Sequence, residues 1–270
     1  MSRAGAALAA AALVTGCTYY NTLHNAERLY EEAERHRYAG RDSLAVAHYR
    51  DVVRKTADAY RGGASGERLA PMLFLLGRAQ LRAGEPAAAR LALEEAARFA
   101  RQPGLASEID IYLAMAEARV GEEAAAIARL DGALADSSLS AVARAEGRLL
   151  RGSLRLSERS AATAWVDLDA AGVTAGVDVE SGLERLASSL RHDERARARA
   201  ALEALLAAPA AGERFDTIAS LLRAASSRWG PVEAAGLLAR ADTVRWDQPF
   251  RGRILLERAH LLRESGDTLA

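Results

Sequence analysis

The amino-acid sequence predicts an all-α fold built from antiparallel helix pairs, and four observations lead to this prediction. Half of the 270 residues are hydrophobic, but aromatic residues make up only 5%. Alanine, leucine, arginine and glutamate dominate, and these residue types favour helices over strands. Glycine and proline are sparse and separate long runs of these helix formers. A pattern of small residues also recurs along the chain.

The charge balance argues against a general nucleic-acid binder. The chain has 36 basic and 36 acidic residues, and Lys55 is its only lysine. A large positive field is therefore not expected. We interpret most of the arginines as a solvated face, and we expect neither a nucleic-acid partner nor a small-molecule substrate.

The first 16 residues have the form of a processing segment. An apolar run of small residues from Ala4 to Val14 follows Arg3. Its length suits a secretory signal and falls short of the roughly 20 residues that span a bilayer. The run ends in the letters LVTG, directly before Cys17, the only cysteine of the chain.

This ending resembles the lipobox of bacterial lipoproteins, in which small residues precede a cysteine that is lipidated, cleaved on its amino side and N-acylated. The resemblance implies a signal peptide over residues 1–16, palmitate or a similar acyl chain on Cys17, and a membrane anchor. Thr18 follows where an Asp commonly signals inner-membrane retention, so the resemblance favours the outer membrane, facing the periplasm. The alternative is that Cys17 is a buried small residue of an ordinary helix.

The clearest repeat contains Leu73, Leu76 and Gly77 on one helix, Gly84 in a turn and Ala89 on a second helix. This spacing resembles the tetratricopeptide (TPR) repeat, in which small residues let two helices approach each other across a turn. Taking Gly77 as an anchor, the turn glycine lies seven residues later and the second-helix alanine twelve residues later. The pattern recurs, with weaker matches toward the C-terminus, at six further anchors: Ala33, Ala114, Gly152, Leu186, Arg223 and Ala259.

The repeats predict one TPR-like domain over residues 17–270. Only the first interval between anchors, of 44 residues, is much longer than the family period, and we assign its excess to an inserted loop at residues 61–66. The last repeat is expected to be incomplete, because its second-helix alanine falls beyond Ala270. The alternative to a repeat array is an irregular helical bundle.

The segment after Cys17 strengthens the resemblance. It resembles the opening of a group of bacterial TPR lipoproteins, which are loosely similar to the TPR lipoprotein of the outer-membrane β-barrel assembly machinery. The residues that carry this likeness are Tyr19, Tyr20, Asn21, Thr22, Asn25, Ala26, Tyr30 and Ala33.

The TPR resemblance also implies a binding surface, since the first helices of TPR arrays line a concave groove. Aromatic and methionine side chains suit the apolar side chains of a bound peptide, and arginines suit its carboxylates. The alternative is that these arginines only solvate an inner wall. The groove residues implied are Tyr30, Arg37, Phe74, Arg78, Arg82, Ile111, Met115 and Arg119.

Common catalytic and metal-binding motifs are absent from the sequence. It contains no glycine-rich phosphate loop, paired CxxC, HExxH or G-x-S-x-G, so no enzyme activity, cofactor or catalytic residue is predicted. His36 and His48 fall on separate helices of one repeat, but we recognise no carboxylate beside them and predict no metal site. Glu31, Glu32 and Glu34 are interpreted as a solvated face.

Together these features predict a lipid-anchored periplasmic scaffold that binds other envelope proteins, in outer-membrane protein assembly or cell-envelope organisation. Two alternatives remain open. One is an accessory helical domain of a cell-wall enzyme whose catalytic part lies beyond this chain, and the other is an unlipidated TPR co-chaperone or regulator.

Overall fold

A computed structural model describes residues 22–63, 65–157, 161–171, 178–208, 211–239 and 248–264. These ranges are helical apart from short connections, and they contain no strand. The prediction of an all-α fold is confirmed. The predicted signal peptide, Cys17, Tyr19, Tyr20 and the end of the last predicted repeat, residues 265–270, lie outside the described residues.

Thirteen helices lie in the described ranges, and they alternate as first and second helices of the predicted pairs. Helix α1 covers residues 22–38. The others are α2 (Asp42–Arg61), α3 (Leu69–Arg82), α4 (Pro86–Phe99), α5 (Pro103–Arg119), α6 (Glu123–Ala133), α7 (Ala141–Ser157), α8 (Ala161–Ala171), α9 (Asp178–Arg191), α10 (Arg195–Ala207), α11 (Phe215–Trp229), α12 (Pro231–Ala239) and α13 (Gln248–Glu264).

The chain divides into two compact units, Met1–Gly147 and Arg148–Ala270, and the division falls within α7. In the first unit, α3 packs against α2, α4 and α5, and α5 packs against α4 and α6. In the second unit, α9 packs against α8, α10 and α11, while α11 packs against α12 and α13. Each unit therefore has the successive helix pairs of a TPR-like α-solenoid. The predicted single domain over residues 17–270 did not anticipate this division.

Five of the turns between the helices of a pair have a positive φ at the same position. The residue seven positions after the anchor has a positive φ, of 69° to 92°, at Gly40, Gly84, Gly121 and Gly230. Glycine adopts this conformation without steric cost. Asp193 holds the same position in another pair with a φ of 61°. This backbone periodicity supports the repeat independently of the alanine matches, some of which an alanine-rich chain produces by chance.

A second periodic feature is a backbone hydrogen bond at the C-terminal end of the first helices. The backbone amide of the residue eight positions after the anchor donates a hydrogen bond to the backbone carbonyl of the residue three positions after the anchor. This bond satisfies an otherwise free carbonyl at the helix end. The four bonds are each 2.9 Å long and join Arg41 to His36, Glu85 to Gln80, Glu122 to Glu117, and Glu194 to Ser189.

The glycine anchors lie where the two helices of a pair touch, whereas the anchors Arg223 and Ala259 are exposed. A Cβ built on Gly77 would lie 2.5 Å from Cγ of Leu93 and 3.2 Å from the carbonyl oxygen of Ala89. Gly152 meets Leu168 and the Ala164 carbonyl in the same way, at 2.8 and 2.9 Å. The alanines twelve residues after the anchors are at most 1% exposed, and they are Ala45, Ala89, Ala126, Ala164, Ala198 and Ala235.

The long first interval comes only in part from the predicted inserted loop. Helix α2 has 20 residues, whereas α4 has 14. Part of the excess therefore lengthens a helix, and only part lies in the glycine-rich connection that follows it. Among the described helices, none is both long and apolar enough to cross a membrane.

Candidate functional site

The first helices of the first unit bring a group of charged and aromatic side chains together. They lie on α1, α3, α5 and the start of α7, and we call them the arginine–tyrosine cluster. Its members are Tyr30, Glu34, Phe74, Arg78, Arg82, Tyr112 and Glu146. Four of them, Tyr30, Phe74, Arg78 and Arg82, belong to the groove predicted from the sequence.

Arg78 lies on three aromatic rings. Its guanidinium carbon is 4.4 Å from the ring centre of Tyr30, 4.9 Å from that of Tyr112 and 5.2 Å from that of Phe74. These distances are within the range of cation–π attraction. The rings of Phe74 and Tyr112 also meet edge to face at 5.4 Å, so the aromatic surface under Arg78 is itself packed.

Arg78 has no carboxylate within ion-pair distance among the described residues. Its Nε is buried without a hydrogen-bond partner, while the side chain as a whole is partly exposed. The two terminal nitrogens donate no hydrogen bond within the described part of the chain, and they are not among its buried atoms. The terminal nitrogens of Arg78 are therefore not fully buried, and they lie above packed aromatic rings.

Arg82 differs from Arg78 because it is held between two carboxylates. Its Nη2 donates to Oε1 of Glu146, and its Nε lies 3.4 Å from Oε1 of Glu34. Glu146 also accepts a 2.6 Å hydrogen bond from the hydroxyl of Tyr112. Burial of Tyr112, together with the adjacent Glu146 charge, raises the pKa of its hydroxyl despite the opposing charges of Arg78 and Arg82. Arg82 thus ties α3 to α1 and to the start of α7.

The surroundings of Glu34 lower the pKa of its carboxyl. It accepts hydrogen bonds from Nε of Arg37 at 3.1 Å and from the hydroxyl of Tyr49 at 2.6 Å. Burial raises the pKa of Glu34, but the charges of Arg82 and Arg37 and these two hydrogen bonds outweigh it and lower the pKa to about 2. The prediction that Glu34 belongs to a solvated face is wrong, since it is paired inside the first unit.

The remaining groove residues lie in three different environments. Ile111 is fully buried and packs against Gly147, where an added Cβ would lie 2.5 Å from Cδ1 of Ile111. Met115 is partly buried. Arg119 is exposed, and it donates to the Leu81 carbonyl at the end of α3, at 3.3 Å. These positions make Ile111 a packing residue and Arg119 a cap of the neighbouring first helix.

Sequence reasoning missed Glu146, although it identified Tyr30, Arg78 and Arg82. Glu146 lies 64 residues after Arg82, and no local spacing links them. Glu34 had a local signal, because it lies on the same helix face as Tyr30 and Arg37, four and three residues away. A charged residue between two predicted groove residues is a candidate member of the same surface.

A second group of side chains lies between α1 and α2. Glu32, His36 and His48 each bring one candidate ligand atom to within 4.8 Å of the other two. The sequence places His36 and His48 on paired helices, whereas the role of Glu32, four residues before His36 on the same helix, goes unrecognised there. The spacing of four residues was the available signal.

No protein-family model matches this chain, and no curated protein sequence matches it. The described helices and turns define its class, which is a TPR-like helical repeat protein. The arginine–tyrosine cluster is its candidate functional site.

Proposed function

We propose that this protein is a lipid-anchored periplasmic scaffold that binds another envelope protein through the first-helix face of its first unit. The observation that carries the proposal is the guanidinium of Arg78, which lies on its aromatic support without a carboxylate partner among the described residues. Planar guanidinium groups hold carboxylates through two parallel hydrogen bonds. The partner's contact is therefore an acidic side chain or a terminal carboxylate.

The surroundings of Arg78 favour a peptide ligand. The rings of Tyr30 and Phe74 are buried beneath Arg78 and support its guanidinium. Met115 is only partly buried and packs against the core that contains Phe74. A methionine side chain adapts to apolar side chains of a partner. Arg82 and Arg37 are already paired with Glu34, so we assign them to positioning the cluster, not to binding the partner.

The compartment rests on the sequence. Cys17 after the letters LVTG supports lipidation, and Thr18 supports placement in the outer membrane, facing the periplasm. Outer-membrane protein assembly and cell-envelope organisation are the processes that suit such a scaffold. Under this proposal the chain has no catalytic role, and both a cell-wall enzyme accessory and an unlipidated co-chaperone stay secondary.

The test is affinity capture of the intact lipoprotein from detergent-solubilised membranes, with the captured partner identified and its affinity measured. Arg78→Met removes the guanidinium but keeps an unbranched stem against the aromatic rings, and it breaks no ion pair among the described residues. We expect the partner to bind about 10- to 100-fold more weakly, the range for losing a charge-assisted hydrogen-bond pair.

The matched control is Arg101→Met. Arg101 is exposed between α4 and α5, and its loss removes the same charge away from the cluster. Unchanged affinity of the control with weakened Arg78→Met supports the proposal. Equal affinity of wild type and Arg78→Met, with both folded by circular dichroism, contradicts it.

A further inference from the structure

The helix pair at the start of the described chain brings three metal-ligating side chains together. Glu32 and His36 are one helical turn apart on the same face of α1, and His48 approaches them from α2. One carboxylate oxygen and one ring nitrogen from each histidine all lie within 4.8 Å of one another.

The two imidazoles are arranged face to face. Their ring centres are 5.2 Å apart, and the rings are inclined by only 10°. The Nδ1 atoms of both His36 and His48 are buried and have no hydrogen-bond partner in the described part of the chain. Buried polar nitrogens are almost always satisfied in folded proteins, so two such atoms on neighbouring rings require an explanation.

Glu32 also lacks a partner among the described residues. It makes no hydrogen bond or ion pair with any described residue, although arginine–carboxylate pairs are abundant in the same unit, as at Arg37 with Glu34 and Arg82 with Glu146. The group of Glu32, His36 and His48 therefore combines two unpartnered imidazole nitrogens with an unpartnered carboxylate.

We propose that Glu32, His36 and His48 bind a divalent transition-metal ion, with Zn²⁺ as the expected occupant. Imidazole and carboxylate are common zinc ligands, and three protein ligands with one open position form a known type of zinc site. Zinc bonds are about 2.0 to 2.2 Å long, so the three side chains need only rotate toward one another. The ion would link α1 to α2 and leave one position for water or another ligand.

This proposal is independent of partner binding at Arg78, and its test uses Zn²⁺ alone. The full chain is prepared with Cys17→Ser, so that its single thiol does not contribute, and freed of metal with a chelator. Isothermal titration with Zn²⁺ is expected to give one ion per chain. His36→Gln and His48→Gln are each expected to weaken binding by about tenfold or more.

The matched control is His192→Gln, because His192 is an exposed histidine in the other unit. Its affinity for Zn²⁺ should equal that of the parent chain. Zn²⁺ should also raise the melting temperature of the parent and the control but not that of His36→Gln or His48→Gln. Absent binding, or one-to-one binding that survives both cluster substitutions, overturns the proposal.

A spectroscopic readout keeps the test decisive if a cluster variant fails to fold. Co²⁺ added to the metal-free parent chain should give visible absorption bands of a four-coordinate nitrogen and oxygen site, and an equimolar amount of Zn²⁺ should remove them. A Co²⁺ spectrum identical to that of the aqueous ion would overturn the proposal without any variant.

Discussion

Three arginines of α1 and α3 have the same charge but different environments. Arg37 and Arg82 share Glu34, and Arg82 also contacts Glu146. Arg78 rests on aromatic rings without a carboxylate partner among the described residues. Removing one member of a buried ion pair strongly destabilises the fold, because the other charge is left unpaired. Arg82 is therefore a structural residue, and Arg78 can be changed with less damage to the fold.

The lowered pKa of Glu34 predicts an acid-dependent contribution to stability. A carboxyl whose folded-state pKa is depressed stabilises the fold above its unfolded pKa, and this stability is lost as the pH falls toward the folded-state value. With a folded-state pKa of about 2 against an ordinary value of 4.5, Glu34 should contribute about 2 kcal/mol to the loss of unfolding free energy between about pH 5 and pH 3.

Urea unfolding at pH 5 and pH 3 measures this contribution. Other carboxylates also titrate in this window, so the relevant quantity is the difference between wild type and Glu34→Gln. The variant should be less stable at pH 5 and should lose about 2 kcal/mol less on acidification. An equal loss in both proteins would show that the pKa of Glu34 is not depressed in the folded state.

At the scale of the helix, the small anchor residues set how closely the members of a pair approach. Gly77 has Leu93 and the backbone of Ala89 against it, and Gly152 repeats this contact in the other unit. A packed interior cannot accept an added methyl group without moving its neighbours. The anchor glycines therefore have a packing role, whereas the turn glycines have a conformational one.

Gly77→Ala should destabilise the first unit by about 1 to 3 kcal/mol through overpacking of the α3–α4 contact. Gly132→Ala is the matched control, since a Cβ added to Gly132 in α6 would have no atom within 4 Å. The control should be stabilised by about 0.5 to 1 kcal/mol, because alanine is the better helix former. Unfolding midpoints in urea measure both changes, and a Gly77→Ala protein as stable as wild type would contradict the close contact.

At the scale of the whole molecule, the proposed anchor and the candidate binding face are close in sequence. Cys17 precedes α1 by only a few residues, and Tyr30 and Glu34 of the cluster lie on that helix. Lipidation would therefore hold the first unit near the membrane surface. Several acyl chains on one cysteine would give a durable anchor, since each buried methylene contributes about 0.8 kcal/mol.

Cells grown with a clickable fatty acid should label the wild-type protein and not Cys17→Ala. Cys17 is the only cysteine in the chain, so no other thiol can carry a thioether-linked lipid. The wild-type protein should also sediment with membranes, while the variant should not. Equal labelling of the two proteins would refute lipidation at Cys17, and absence of label from both would favour the unlipidated regulator.

The repeat was predictable because its determinants are local. The turn seven residues after an anchor needs a positive φ, which favours glycine, as at Gly40, Gly84 and Gly121. The buried alanines lie where two helices joined by a short turn contact each other. The candidate site was predictable only in part. Tyr30, Arg78 and Arg82 follow from their places on first helices, but their burial and pairing do not.

The sequence by itself determined the helical class, the positions of the turns and the anchors, because each depends on residues within one helix pair. Only the tertiary structure decided which arginine lacks a carboxylate partner among the described residues. Glu146 reaches Arg82 across 64 residues, and no partner of this kind reaches Arg78 in the described chain. The tertiary structure also brought His48 beside Glu32 and His36. Such contacts depend on how separate helices pack, and spacing along one helix does not encode them.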